Sequence, residues 1–193
     1  KKAWDTTISA INAGIGTRIS QFTADWNVGM TKGTFAAILA PAWMMDYIKS
    51  QAPDTAGKWD IASMPGGGGN QGGTQLTIPA SAKNKQAAWD FITWYLAPAQ
   101  QLKVFKTYGL FPSTPSLYSD PALTGFSDPF FNNAPVGKIY AAGILKLKPI
   151  FEGKLNRAID QAMGAGLGRV ASKKQTATQS WTQVLSDLKK VTG

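Results

Sequence analysis

Three short runs compatible with extended backbone lie between Thr34 and Ala80, each stopped by a proline, and apolar residues three and four apart flank them on both sides. Thr34–Leu39 runs out before Pro41. Lys58–Met64 alternates Trp59 and Ile61 and stops at Pro65, ahead of the glycines Gly66–Gly69. Gln71–Ala80 contains Thr74-Gln75-Leu76-Thr77-Ile78, opens on Gly72-Gly73 and closes at Pro79. Proline cannot donate into a ladder, and glycine at a strand entry lets the backbone twist sharply or approach a ligand. A period near two interleaved with a period near 3.6 predicts an α/β architecture.

The helical stretches are read from the same spacing. Ile8, Ile11, Ile15, Ile19 and Phe22 predict a helix from Trp4 to about Phe22, weakened by Gly14 and Gly16. A short segment covers Asp46 to Ser50. Ser81 or Asn84 caps a helix whose face is Ala87, Ala88, Phe91, Ile92, Tyr95 and Leu96, ending near Pro98. Ala99–Tyr108 turns Leu102 and Phe105 inward and is stopped by Gly109, after which Pro112 to about Pro135 is an irregular connector. Ile150–Met163 forms a helix broken by Gly164, Gly166 and Gly168, and a last one covers about Thr176 to Val191.

The chain has no cysteine and no histidine. Disulfides, thiolate metal sites and every triad built on imidazole are therefore excluded, and the commonest general base and zinc ligand are missing. Gly66–Gly69 lacks the following Gly-Lys-Ser or Gly-Lys-Thr and opens no helix, so it is not a phosphate loop. Asp5, Asp25, Asp46, Asp54 and Asp60 show no spacing that faces two carboxyls on one glycosidic bond and read as solvated surface. No metal or cofactor is expected. The 20 Lys and Arg against 11 acidic residues give +9, which favours polyanions, but the basic residues are scattered and form no nucleic-acid motif.

Seven tryptophans offer flat faces to which sugar rings stack, although core filling is the ordinary use of an aromatic side chain. Trp89 and Trp181 sit in helical patterns and are read as packing residues. Trp43 follows Pro41 at a predicted strand end, where binding residues gather.

The ordered set Gly33-Thr34-Phe35-Ala36-Ala37-Ile38-Leu39-Ala40-Pro41-Ala42-Trp43, Trp59-Asp60-Ile61-Ala62-Ser63-Met64-Pro65, then Gly72-Gly73 before Leu76-Thr77-Ile78-Pro79-Ala80-Ser81, resembles the family 1 extracellular solute-binding proteins, the maltose-binding-protein-like group. Lys83-Asn84-Lys85-Gln86-Ala87-Ala88-Trp89-Asp90-Phe91 and Gly109-Leu110-Phe111-Pro112 continue it in register. Five segments in order over Asp25 to Ser119 carry more than any one of them.

The resemblance implies a periplasmic-binding-protein-like, type II fold of two α/β lobes with the second half of the family represented. Residues 1–74 would begin the C-terminal lobe, 75–120 would cross into the N-terminal lobe, and 121–193 would return. It further implies a ligand site of Trp43, Gly72, Gly73 and Thr74, with Phe151 and Glu152 near a second cleft aromatic. No reaction is expected. The partners implied are a sugar or oligosaccharide and the membrane permease subunits of an ABC importer, not nucleic acid. The chain is expected to act as a monomer, extracellular or periplasmic, and as a membrane-anchored lipoprotein in its full-length form. No signal peptide opens the sequence, and Lys1 in place of a methionine suggests a fragment or processed piece. The alternatives are a basic module binding nucleic acid or an anionic surface, and a carbohydrate-active enzyme, which needs a carboxylate pair about 5–10 Å apart.

Overall fold

The computed structural model describes residues 1–148 and 150–192; position 193, the end of the third expected segment, lies outside the described residues. Nine α-helices are present among them: α1 (Lys2–Asn12), α2 (Ala24–Lys32), α3 (Met44–Gln51), α4 (Lys85–Tyr95), α5 (Pro98–Tyr108), α6 (Pro121–Thr124), α7 (Val136–Ile144), α8 (Asn156–Ala171) and α9 (Ala177–Thr192). The chain divides into two compact units, Lys1–Thr23 with Pro149–Gly193, and Ala24–Lys148.

The first unit is built on α1, α8 and α9. Trp4, Ile8, Val170 and Val184 are its buried centre, with Met163, Leu167, Trp181 and Leu188 packed around them. The predicted first helix ends early, at Asn12, because Gly14 takes φ +67 and leads the chain out of helical geometry. The predicted break at Gly164–Gly168 is also corrected: α8 runs through all three glycines. Packing explains the middle one. A Cβ on Gly166 would lie 2.4 Å from Val184 Cγ2 and 3.0 Å from the Trp4 ring, so a residue that weakens an isolated helix is what lets these helices touch. Ser180 is buried at the same contact and donates to the Gly166 carbonyl at 2.8 Å.

In the second unit α3 buries Met44, Met45 and Ile48, while Trp26 of α2 stacks on Phe35 and tilts against Tyr47 at 5.7 Å. Lys49 of α3 pairs with the buried Asp128 at 2.6 Å. Phe105 of α5 is the centre of an aromatic cluster, edge-on to Phe111 at 5.3 Å and to Phe126 at 5.6 Å. The connector predicted as irregular contains short helical turns starting at Pro115, Pro121 and Pro129, a position where a missing N–H costs nothing. Helices α2 and α7 have no counterpart in the sequence reading; α7 carries Gly137 and Gly143, which obscure its period.

The three runs predicted as strands are not strands among the described residues. The only backbone pairing of β type there is an isolated antiparallel bridge between Asp128 and Ala134. A strand exists only beside a partner that takes up its N–H and C=O groups, and none of the described residues pairs with these runs in a β ladder. Helix α4 forms as predicted, with Asn84 at the N-cap position but making no side-chain capping hydrogen bond, and it buries no residue: Trp89, Phe91 and Trp94 are 57%, 56% and 56% exposed. The packing role read for Trp89 is not met among the described residues.

Tyr140 of α7 packs near Phe111, and its hydroxyl is buried with no hydrogen-bond partner among the described residues. Burial pushes its pKa up from 10.0 to about 12. The unfolded tyrosine ionises first as pH rises, so its contribution is intact below pH 10 and is lost between 10 and about 12. Tyr140→Phe should leave neutral-pH stability unchanged or raise it by up to about 1 kcal/mol, because an unpaired buried hydroxyl is removed. Urea denaturation at about pH 8 and about pH 11 checks both parts: the variant should lose less stability between the two than the parent does.

Candidate functional site

The site grows from the turn that starts α3. The amides of Met44 and Met45 donate to the carbonyls of Pro41 and Ala42 at 3.0 and 3.1 Å, which winds the chain after Pro41 directly into the helix. Trp43 occupies the cap position. With Met44, Met45 and Ile48 held inward, residues three, four and seven after Trp43 emerge on the opposite face. These are Asp46, Tyr47 and Ser50, and together with Trp43, Tyr108 and Leu110 they line an open hollow of about 480 Å³.

The opposite wall depends on Gly109. It ends α5 in left-handed conformation at φ +70, its amide donating to the Phe105 carbonyl at 2.8 Å. A Cβ there would stand 2.9 Å from the Ala42 carbonyl and 3.2 Å from Met45 Cε. Glycine is thus required twice, for its φ and for the close approach that sets Tyr108 and Leu110 across from α3.

Of the residues singled out from the sequence, the structure brings together Trp43 and the Gly72–Gly73 turn. The Trp43 indole N–H donates to the Gln71 carbonyl at 2.9 Å, and Asn70 Nδ2 donates to the Gly72 carbonyl at 2.9 Å. Gly72 and Gly73 take φ +80 and +147, conformations in which a side chain is strained. Thr74 follows them and is exposed. Phe151, 95% exposed, and Glu152, also exposed, belong to the other compact unit.

Asp46, read from the sequence as solvated surface, is exposed but lines the hollow; Tyr47, Ser50, Tyr108 and Leu110 were not singled out at all. The signal for the first three was present in the spacing 43, 46, 47, 50 on one helical face. Tyr108 and Leu110 carry no such signal, since only the Gly109 contact places them. Among the described residues no group of three His, Cys, Asp or Glu could hold a metal ion, and no helix is long and apolar enough to cross a membrane.

Aromatic faces with a few polar groups on a concave surface are the residue types from which small-molecule sites are commonly built. The profile described as "Bacterial extracellular solute-binding protein" matches residues 1–132, and the chain belongs to that family. Its fold is that of the solute-binding proteins. The crystal structure of an extracellular solute-binding protein of family 1 superposes with a TM-score of 0.86 at 34% identity, over 100% of this chain and 50% of that one. The ABC transporter associated binding protein from B. animalis subsp. lactis Bl-04, solved in complex with beta-1,6-galactobiose, superposes at 0.74 and 23% identity, over 97% of this chain and 49% of that one. No curated protein sequence is similar to the chain. The chain spans about half the length of the solved structures it matches.

Proposed function

We propose that the chain is part of a binding protein that holds a carbohydrate and delivers it to the permease subunits of an ABC importer, without transforming it. The observation that carries this reading is the hollow around Trp43, three aromatic residues beside Asp46 and Ser50 at the edge of the Gly72–Gly73 turn. Aromatic faces suit the C–H faces of sugar rings, and the polar groups fix the hydroxyls. Membership of a solute-binding family and a structural neighbour solved with galactobiose support it. Trp43 is the stacking platform, and Gly72, Gly73 and Thr74 offer backbone groups to the ligand. Phe151 and Glu152, both exposed, are retained as further ligand-binding residues of the complete polypeptide.

In this reading the complete polypeptide has two α/β lobes of the type II periplasmic-binding-protein kind that close around ligand, and it works outside the cytoplasmic membrane as a lipid-anchored monomer. The expected segments 1–74, 75–120 and 121–193 keep their places in it. The neighbours are twice the length of this chain, and α4 here leaves Trp89, Phe91 and Trp94 uncovered while the three extended runs lack partners. The other half of such a polypeptide supplies what these groups need, a covering surface and strands to pair with.

Calorimetric titration with β-1,6-galactobiose and a panel of neutral oligosaccharides tests the reading. One sugar class should saturate, and Trp43→Ala should weaken it by about 2 kcal/mol, roughly thirtyfold, as removal of a buried aromatic anchor does. Saturation that survives Trp43→Ala unchanged would place the site elsewhere. Absence of binding to every sugar, alongside salt-sensitive binding to a polyanion, would favour the basic module instead.

A further inference from the structure

The donors and acceptors of the hollow are unequally engaged. The Trp43 indole N–H is committed to the Gln71 carbonyl, and the Tyr47 hydroxyl donates to Asn27 Oδ1 at 2.9 Å. Ser50 Oγ donates to the Tyr47 carbonyl at 2.8 Å and accepts from Gln51 Nε2 at 3.3 Å. Three of the four neutral donors lining the hollow are therefore taken. The Asp46 carboxylate, by contrast, has no hydrogen bond or ion pair among the described residues, and neither has the Tyr108 hydroxyl.

The chain carries 20 Lys and Arg, yet none is among the residues lining the hollow. Lys49, one turn along α3 from Asp46, is tied to Asp128 at 2.6 Å and points its charge there. An ionised carboxylate with four free acceptor sites is the only charged group the hollow presents. The +9 net charge acts from a distance and is screened within about 8 Å at physiological salt, whereas a carboxylate in contact with ligand is not.

The geometry points to selection by donor count and charge: the hollow takes sugars rich in hydrogen-bond donors, neutral or bearing an amino group, and rejects uronic acids and sugar phosphates. A carboxylate or phosphate on the ligand would meet Asp46 with no free cation to offset it, and would find few donors for its own oxygens. A sugar ammonium would meet a carboxylate within a ring of aromatic faces, which attract cations. This rests on the carbohydrate reading above and deepens it.

The test uses one hexose frame in three charge states, galactose as β-1,6-galactobiose, galactosamine and galacturonate, titrated at fixed ionic strength into the chain alone and into the polypeptide expressed from its native reading frame. Galactosamine and the neutral sugar should bind, and galacturonate should be weaker by at least about tenfold. Asp46→Asn should bring galacturonate to within about threefold of the neutral sugar and weaken galactosamine, while Asp90→Asn on α4 should change neither ratio. Galacturonate binding as well as the neutral sugar, or ratios unchanged in Asp46→Asn, would overturn the selection rule while leaving carbohydrate binding standing. If these three fail where another sugar of the panel saturates, the neutral, amino and uronic forms of that sugar are compared by the same criterion; if no sugar saturates in either form, the carbohydrate reading fails and the selection rule falls with it.

Discussion

Gly166→Ala should destabilise the helical unit of α1, α8 and α9 by about 1–2 kcal/mol, while the same substitution at Gly164 or Gly168 should stabilise it by about 0.5–1 kcal/mol. Two effects compete at all three positions. Alanine in a helix interior gains by restricting the unfolded chain and by its better propensity. At Gly164 and Gly168 nothing lies within 4 Å of the added methyl, so that gain stands alone. At Gly166 the methyl would sit 2.4 Å from Val184 Cγ2 and 3.0 Å from the Trp4 ring, in a centre where both residues are buried. The backbone cannot withdraw freely, because Ser180 holds the Gly166 carbonyl at 2.8 Å. Overlap of this kind costs about 1–3 kcal/mol and outweighs the propensity gain. Urea denaturation followed by tryptophan fluorescence gives the three midpoints; a stabilised Gly166→Ala would mean that α8 and α9 are not in contact as described.

The second large effect is expected at Gln101→Leu, which should cost about 2–4 kcal/mol. Gln101 is buried near the start of α5 and satisfies four groups of the chain around it. Its Nε2 donates to the Leu96 carbonyl at 2.5 Å and to Thr114 Oγ1 at 2.6 Å, and its Oε1 accepts from the Ser113 amide at 2.8 Å and from Ser113 Oγ at 3.3 Å. Leucine fills a similar volume and leaves these partners without a mate, so the loss measures the polar network and not the packing. Gln101→Glu separates the two further. It keeps the acceptor for Ser113 but turns an oxygen toward Leu96 and Thr114, and its ionised form is disfavoured in the native state. Its folded pKa is then raised, so stability should fall as pH climbs above about 4, where the unfolded glutamate ionises. Denaturation at about pH 4 and about pH 7 reads this directly, and Gln101→Leu should show no such slope. The segment Gln101 anchors also carries Leu110 to the hollow, so affinity for the proposed carbohydrate ligand should fall in both variants.

The elements that local chemistry governs were legible in the residues. The stripe Trp181, Val184, Leu185 and Leu188 gave α9, although Leu185 is 43% exposed, and Leu102 and Phe105 with Gly109 beyond them gave α5 and its left-handed cap. Pro41 before Trp43 marked the turn that begins the site, and the order of the segments from Gly33 to Pro112 pointed to the solute-binding family. Period, capping and proline punctuation act within a few residues of one another, which is why they can be read without a structure.

Contacts between distant residues decided the rest. Extended runs were visible at Thr34, Lys58 and Gln71, but pairing belongs to two segments at once, and no described residue pairs with them. The apolar face of α4 was equally plain, yet none of its residues is buried among the described residues. Glycines in α8 argue against a helix locally; only the neighbouring Trp4 and Val184 turn Gly166 into the point of closest packing. The hollow follows the same division. The face Trp43, Asp46, Tyr47 and Ser50 is a helical spacing and so belongs to the sequence, whereas Tyr108 and Leu110 reach it because Gly109 can approach the Ala42 carbonyl, a fit between distant segments that the tertiary structure alone determines.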